Sequence, residues 1–246
     1  MRKFGLIGYP LEHSFSPSYF AKKFERENIH ARYDLLPIAD ISQFPDLLKN
    51  NSALEGLNVT IPYKESIIPY LNDISKEAKE IKAVNTIKIT KKNSRIFLKG
   101  FNTDIFGFQK SLVNFLKTTD VKALIFGTGG ASKAVARVLD HLQIEYKAVS
   151  RNPSSKNITY SDLDQNLINK YQLIINTTPL GMHPNTGQAP PIPYQYLTYR
   201  HFCYDLIYNP EKTTFLKKAE NQGAAIKNGL EMLQLQAEKS WEIWNS

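Results

Sequence analysis

The sequence predicts an α/β protein in two domains, each organised on an open, largely parallel sheet. Short apolar runs, too brief for core helices, alternate with amphipathic stretches along the whole chain, which is the signature of βαβ units. One of these runs, Val121 to Phe126, breaks at Gly127, Thr128, Gly129, Gly130 and Ala131, then resumes with small and apolar residues at helical spacing. The length of 246 residues suits two domains of modest size better than one, since domains commonly hold roughly 100 to 200 residues.

Composition narrows the function classes. With 42% hydrophobic residues, 13 phenylalanines and 13 tyrosines, the chain has the make-up of an ordinary globular protein. No apolar run approaches the roughly 20 residues of a membrane span, and Met1 opens no signal-peptide pattern, so a cytoplasmic protein is expected. The lone cysteine, Cys203, reads as a small buried apolar residue on a strand; it has no internal partner and no metal-ligand spacing, and no metal is expected. A formal charge of +8 would suit nucleic acid, but the lysines are scattered and not interleaved with aromatics. An anionic small molecule, or simply a solvated basic surface, accounts for it.

In chain order, Lys3 to Gly8 reads as a first strand broken at Tyr9-Pro10, and Ser16-Pro17 opens a helix to about Asn28. Ser16 fits an N-cap and Ser14 a loop support; equally, both hydroxyls could face a carboxylate, and spacing leaves the two readings open. Ala31 to Leu36 is a second strand, Asp40 to Lys49 a helix, and Leu54 to Thr60 a third strand ending at Lys64. In parallel sheets ligands sit beyond the carboxyl ends of the strands, where Ser14, Thr60 and Lys64 fall. A helix closes over 77–82, followed by a hairpin of 83–90 and 95–100 at the sheet edge. Asp104 then stands at the start of an apolar helix running to Leu116, where a carboxylate can simply complement the helix dipole.

The second unit begins at Val121. Its glycine turn is a phosphate cradle of the Rossmann kind: glycine lacks the Cβ that would hold a pyrophosphate off the backbone, and the helix start presents free N–H groups. The next strand, 145–150, ends in Ser150, Arg151 and Asn152, with Lys156 beyond. NAD sites place an acid near that point for the ribose 2′-hydroxyl, whereas a guanidinium clamps a 2′-phosphate, so NADP is the expected cofactor. Further strands are read over 171–176, 201–205 and 224–227, a helix over 211–222, and an amphipathic terminal helix from Gly229.

Laid end to end, these stretches resemble the shikimate dehydrogenase family over almost the whole chain. The motifs are Ser14-Phe-Ser16-Pro17, Asn58-Val-Thr60-Ile-Pro-Tyr-Lys64, Ala83-Val-Asn85-Thr86, Asn102-Thr-Asp104, Gly127-Thr-Gly-Gly-Ala131, Asn176-Thr-Thr-Pro, Asp205-Leu-Ile-Tyr208 and Gly229 to Gln236. The resemblance implies a substrate domain of residues 1–104 with 229–246, an NADP domain of 105–228, and an active site in the cleft between them. It implies reversible NADPH-dependent reduction of 3-dehydroshikimate to shikimate on the route to chorismate and the aromatic amino acids. By motif match Ser14 and Ser16 hold the substrate carboxylate with Tyr208 near it, while Thr60, Lys64, Asn85, Asp104 and Gln236 hold the ring hydroxyls.

Moving a hydride from a carbinol requires a group that takes the hydroxyl proton and returns it in reverse, a role the resemblance gives to Lys64, with Asp104 orienting it. It likewise assigns dinucleotide contact to Gly127, Thr128, Gly129, Gly130, Ala131, Ser150, Arg151, Asn152, Thr177, Leu206 and Gly229. The sequence departs from the family pattern at Lys82, where glycine is usual, at Thr128, where alanine is common, and at Lys156, which replaces an arginine. Two rival readings are a quinate/shikimate dehydrogenase using NAD, and a catalytically silent NADP-binding regulator of the same fold. The expected assembly is a monomer or homodimer acting on small molecules, without nucleic-acid or membrane partners.

Overall fold

The structure is a computed structural model that describes residues 1–12, 14–93, 95–116, 119–152 and 157–246. The chain forms two compact units, one of Met1–Phe106 with Gln236–Ser246, the other of Gly107–Leu235.

The first unit carries β1 (Arg2–Gly8), α1 (Ser16–Arg26), β2 (Ala31–Pro37), α2 (Phe44–Asn50), β3 (Leu54–Val59), β4 (Asp73–Ile74), α3 (Lys76–Ile81), β5 (Thr86–Lys92) and β6 (Arg95–Phe101). Its sheet has the order β2-β1-β3-β5-β6-β4. The β1 strand pairs in parallel with both β2 and β3, and the β5–β6 hairpin joins β3 antiparallel. The central strand β1 is apolar on both faces because both are covered; β2, at the edge, leaves Leu35 exposed.

Successive residues of β1 serve different cores. Ile7 joins Phe44, Leu57, Val59, Ile67 and Ile87, while Phe4 joins Phe20, Phe24, Tyr33, Trp241 and Trp244. Trp244 belongs to α8 (Leu230–Asn245) and stacks on Phe4 at 4.7 Å between centroids. Its indole fits because β3 carries Gly56 beneath it: a Cβ there would come within 2.3 Å of Nε1. That nitrogen donates to the Ile87 carbonyl at 3.0 Å. Removing such a buried ring costs about 3–5 kcal/mol, enough to release the end of the helix.

The second unit holds most of α4 (Asp104–Phe115), then β7 (Ala123–Phe126), α5 (Gly130–His141), β8 (Tyr146–Val149), β9 (Asn157–Ile158), α6 (Gln165–Lys170), β10 (Leu173–Asn176), β11 (Phe202–Asp205), α7 (Thr214–Glu220) and β12 (Ala225–Lys227). The sheet is parallel throughout, in the order β12-β11-β10-β7-β8-β9, which is the doubly wound Rossmann arrangement with its switch point between β7 and β10. Every residue of β7 and β10 is buried, as two helix-covered faces require. Cys203 lies fully buried on β11, and burial pushes its thiol up.

Several local expectations change. Ser16 is the first residue inside α1 and not its cap; Phe15 holds the cap position without a side-chain bond, and Pro17 follows within the first turn. The expected helix over 40–49 is a single 3-10 turn, Ile41–Gln43, and then α2, because Pro45 restarts the helix. The helix expected from residue 211 starts at Thr214, where the Thr213 hydroxyl caps it by accepting from Leu216 N–H. The two-residue β4, not the hairpin, forms one sheet edge.

Candidate functional site

Beyond β3 the chain turns sharply, with Tyr63 N–H donating to the Thr60 carbonyl at 2.9 Å. The Lys64 carbonyl then accepts from Val84 N–H at 2.7 Å, pinning the lysine beside the segment that leads into β5. Asp104 is positioned from the other side. Asn102 donates its amide to the Ala83 carbonyl at 3.1 Å and accepts from Ile105 N–H at 3.2 Å, which fixes the first turn of α4 with Asp104 in it. As a result Lys64 Nζ stands 2.7 Å from Asp104 Oδ2, the side chains 31% and 15% exposed. A pair this accessible contributes about 1 kcal/mol or less to stability, so its arrangement matters more for orientation than for holding the fold.

Asn85 and Gln236 also meet in this unit: Asn85 Nδ2 donates to Gln236 Oε1 at 3.0 Å. Asn85 is buried between β3 and the terminal helix, and its Oδ1 accepts from Thr103 N–H at 2.7 Å. Thr60 and Ser14 occupy loops after β3 and β1, at the same carboxyl edge of the sheet. The Ser14 hydroxyl donates to the Leu11 carbonyl at 2.7 Å. Gly8 allows the two loops to close up, since a Cβ there would sit 2.4 Å from Thr60 Cγ2. Ser16 is buried at the head of α1 and hydrogen-bonds Tyr33. Tyr208 belongs to the second unit, half-buried after β11, where burial raises its phenol.

In the second unit the glycine turn has the geometry of a phosphate site. Gly127 takes φ +107°, and a Cβ would press to 2.7 Å from Thr177 Oγ1, so the turn itself demands glycine. At Gly129 and Gly130 a Cβ would meet nothing within 4 Å: these glycines leave open space at the start of α5. The first N–H groups of that helix lack intrahelical acceptors, and an anion seated there meets the positive end of the dipole. Thr128 and Ala131 flank the opening and are exposed. Thr177 is spent on the turn, its hydroxyl donating to the Phe126 carbonyl at 2.7 Å.

At the end of β8, Ser150 N–H bonds the Ile158 carbonyl at 2.9 Å and its hydroxyl accepts from Asn152 N–H at 3.3 Å, leaving Arg151 exposed between them. Lys156 lies outside the described residues. An arginine on this loop, with no acid among residues 150–152, fits a dinucleotide carrying a 2′-phosphate. Gly229 packs against Leu206 so closely that a Cβ would fall 2.0 Å from its carbonyl oxygen. Below this contact Asp205 is fully buried, and its carboxyl accepts from Asn176 Nδ2, Ile207 N–H and Thr213 Oγ1 at 3.0, 3.1 and 2.6 Å. Burial nevertheless pushes that carboxyl up to about 6. Among the described residues no group of three or more His, Cys, Asp or Glu could hold a metal ion.

A Rossmann unit with an open glycine turn, together with a sheet unit bearing a lysine–carboxylate pair, defines a dinucleotide-dependent dehydrogenase of the two-unit α/β class. The shikimate dehydrogenase substrate binding domain family matches residues 6–87. The chain is 36% identical to shikimate dehydrogenase (NADP(+)) of Caldanaerobacter subterraneus subsp. tengcongensis, over 98% of this chain and 90% of that one. A chorismate mutase/shikimate 5-dehydrogenase fusion protein from Clostridium acetobutylicum superposes with TM-score 0.88 at 37% identity, covering 100% of this chain and 91% of that one. The enzyme from Thermus thermophilus, solved in complex with NADP(H) and shikimate, gives TM-score 0.86 at 29% identity over 99% and 93% of the two chains. The chain belongs to the shikimate dehydrogenase family.

Around Asn85 the structure reveals residues to which sequence reasoning gave no role. Thr86, Thr103 and Ser240, all buried, form a hydroxyl cluster with Asn58. The one signal available in the sequence was the presence of polar residues inside otherwise apolar runs.

Proposed function

We propose that this protein catalyses the reversible NADPH-dependent reduction of 3-dehydroshikimate to shikimate, with the first unit carrying the substrate and the second the dinucleotide. The observation that carries the proposal is the Lys64–Asp104 pair at 2.7 Å, held by backbone contacts on both sides.

NADPH, when bound, supplies the hydride. Reduction leaves a developing alkoxide on the ring, and Lys64 Nζ donates the proton it needs; in the oxidative direction Lys64 takes that proton back. Asp104 orients the ammonium group and accepts from a ring hydroxyl. Asn85, Gln236 and Thr60 hold the hydroxyls, while Ser14, Ser16 and Tyr208 donate to the carboxylate. The residues that would hold the dinucleotide are Gly127 to Ala131 for the pyrophosphate, Ser150, Arg151 and Asn152 for the 2′-phosphate, and Thr177, Leu206 and Gly229 beside them. A carboxylate at Ser150 or Arg151 would have favoured NAD and the quinate-using reading, and neither position carries one.

The same reading includes a cytoplasmic protein, monomeric or homodimeric, without nucleic-acid partners. It is supported by a single buried cysteine and by lysines tied up in ion pairs such as Lys212–Glu220 and Lys239–Glu242. No described helix is long and apolar enough to cross a membrane.

Mixing purified protein with shikimate or quinate and NADP or NAD, and following nicotinamide absorbance, tests the assignment. Turnover is expected with shikimate and NADP; its absence removes the activity, and faster turnover with quinate and NAD replaces it.

A further inference from the structure

Asn85 and Gln236 are amides, each able to present either an oxygen or an N–H group to a ligand. The chain settles which. Asn85 Oδ1 accepts from Thr103 N–H at 2.7 Å, and a backbone N–H can only donate, so the oxygen faces inward and Nδ2 outward. Nδ2 then donates to Gln236 Oε1 at 3.0 Å, which in turn commits the glutamine oxygen and leaves its nitrogen for a ligand.

The buried hydroxyls are arranged to the same end. Ser240 donates to the Gln236 carbonyl at 2.9 Å, so towards its neighbours it is an acceptor. Thr86 Oγ1 sits at the centre, 2.8 Å from Ser240 Oγ, 3.2 Å from Thr103 Oγ1, 3.2 Å from Asn85 Oδ1, and accepting from Asn58 Nδ2 at 3.1 Å. Asn58 itself is oriented by Tyr33, whose hydroxyl donates to its Oδ1 at 2.8 Å. Thr86 Oγ1 donates to Asn85 Oδ1 beside the Thr103 N–H, while Thr103 Oγ1 reaches both amide oxygens, 3.2 Å from Asn85 Oδ1 and 3.3 Å from Gln236 Oε1.

We infer that Thr86, fully buried and outside the residues assigned to substrate, is a positioning residue that, as a second donor to Asn85 Oδ1 beside the Thr103 N–H, holds the amide polarity of Asn85 and, through it, Gln236. Both then offer N–H donors to the oxygens of ring hydroxyls, and the hydroxyl protons are left for an acceptor such as Asp104. The inference rests on the substrate reading given above.

Thr86→Val keeps the shape and the strand preference and deletes the hydroxyl, while Thr86→Ser keeps the hydroxyl. The expected result for Thr86→Val is a KM for shikimate raised roughly tenfold, the equivalent of one hydrogen bond, with kcat and the KM for NADP nearly unchanged. Thr86→Ser restores the wild-type KM. A wild-type KM in Thr86→Val overturns the inference, as does a rise that Thr86→Ser shares, which would make the role one of packing. The side-chain amide 15N–1H pair of Asn85 gives a measurement that needs neither turnover nor a folded variant. In the wild type its hydrogen-bonded proton should exchange with deuterium at least roughly a hundredfold more slowly than that of a free asparagine amide, and exchange at the free rate overturns the inference. Absence of shikimate turnover with a fixed Asn85 amide overturns only the functional reading.

Discussion

Lys64 Nζ and Asp104 Oδ2 lie 2.7 Å apart although 40 positions separate the residues in the chain. Lys64 through its own carbonyl and Asp104 through Asn102 are both tied to the 83–84 segment, so the pair is assembled on the loop that leads into β5. Lys64→Ala should lower kcat by about 100- to 10,000-fold, the usual yield of a positioned acid–base group, and leave the dissociation constant for shikimate within a few-fold. Asp104→Asn, which keeps the shape and removes the charge that orients the amine, should lower kcat and raise KM together. Steady-state kinetics with direct binding measurements check both, and an undiminished kcat in Lys64→Ala would reassign the proton.

The three glycines of the turn should separate stability from binding. Gly127→Ala forces a side chain into φ +107° and against Thr177, so the melting temperature drops. Gly130→Ala meets open space and should fold as well as the parent; if a dinucleotide phosphate is seated at the start of α5 as proposed, the added methyl group would crowd it and the KM for NADP should rise at least roughly tenfold. A thermal loss in Gly130→Ala equal to that in Gly127→Ala would show that the space at Gly130 is not open, and an unchanged KM for NADP would show that the openness has no bearing on dinucleotide binding.

Lys82 closes α3 in the left-handed region at φ +53°, ψ +42°. This is the helix-ending position that glycine takes without penalty, which gives a backbone reason for the family's usual residue. Lys82→Gly should stabilise the protein by about 1 kcal/mol, or roughly 2–4 °C in melting temperature. Calorimetry on the two proteins checks it; a fall in melting temperature would mean that the lysine side chain contributes more than its backbone costs.

Asp205 predicts a pH dependence. Its folded carboxyl titrates at about 6, above the ordinary 3.8, so the folded chain binds this proton more tightly than the unfolded one. Its contribution is full below about pH 4 and is lost as pH rises through about 6, a change of up to ~3 kcal/mol. Asp205→Asn cannot ionise. It adds a constant loss from a misplaced donor, but the stability difference between wild type and variant should shrink from pH 4 to pH 6 and then level off. Urea midpoints across that range test this, and a pH-independent gap would contradict it.

Much of the architecture was legible because its physical causes are local. A strand covered on both faces must be apolar throughout, as β7 and β10 are, and a turn at positive φ must be glycine, as at Gly127. The two-residue strands β4 and β9 are shorter than one alternation and leave no pattern to read. The short helix α6 has Ile168 as its one buried residue and so lacks a stripe. Lys64 and Asp104 individually look like surface residues, and what singled them out was the company of motifs around them. The cluster of Thr86, Thr103 and Ser240 draws on separate elements, so its hydroxyls share no sequence spacing, and only folding brings them together.

The stacking of Trp244 on Phe4 sets an order of events during synthesis. As the nascent polypeptide leaves the ribosome, residues 107–235 emerge as one continuous stretch and can complete their own core. The sheet that begins with Phe4 must wait, its aromatic face bare, until the chain has been translated past residue 244. A chain shortened to end at residue 235 should therefore display a protease-resistant 107–235 half joined to a first half still open to digestion.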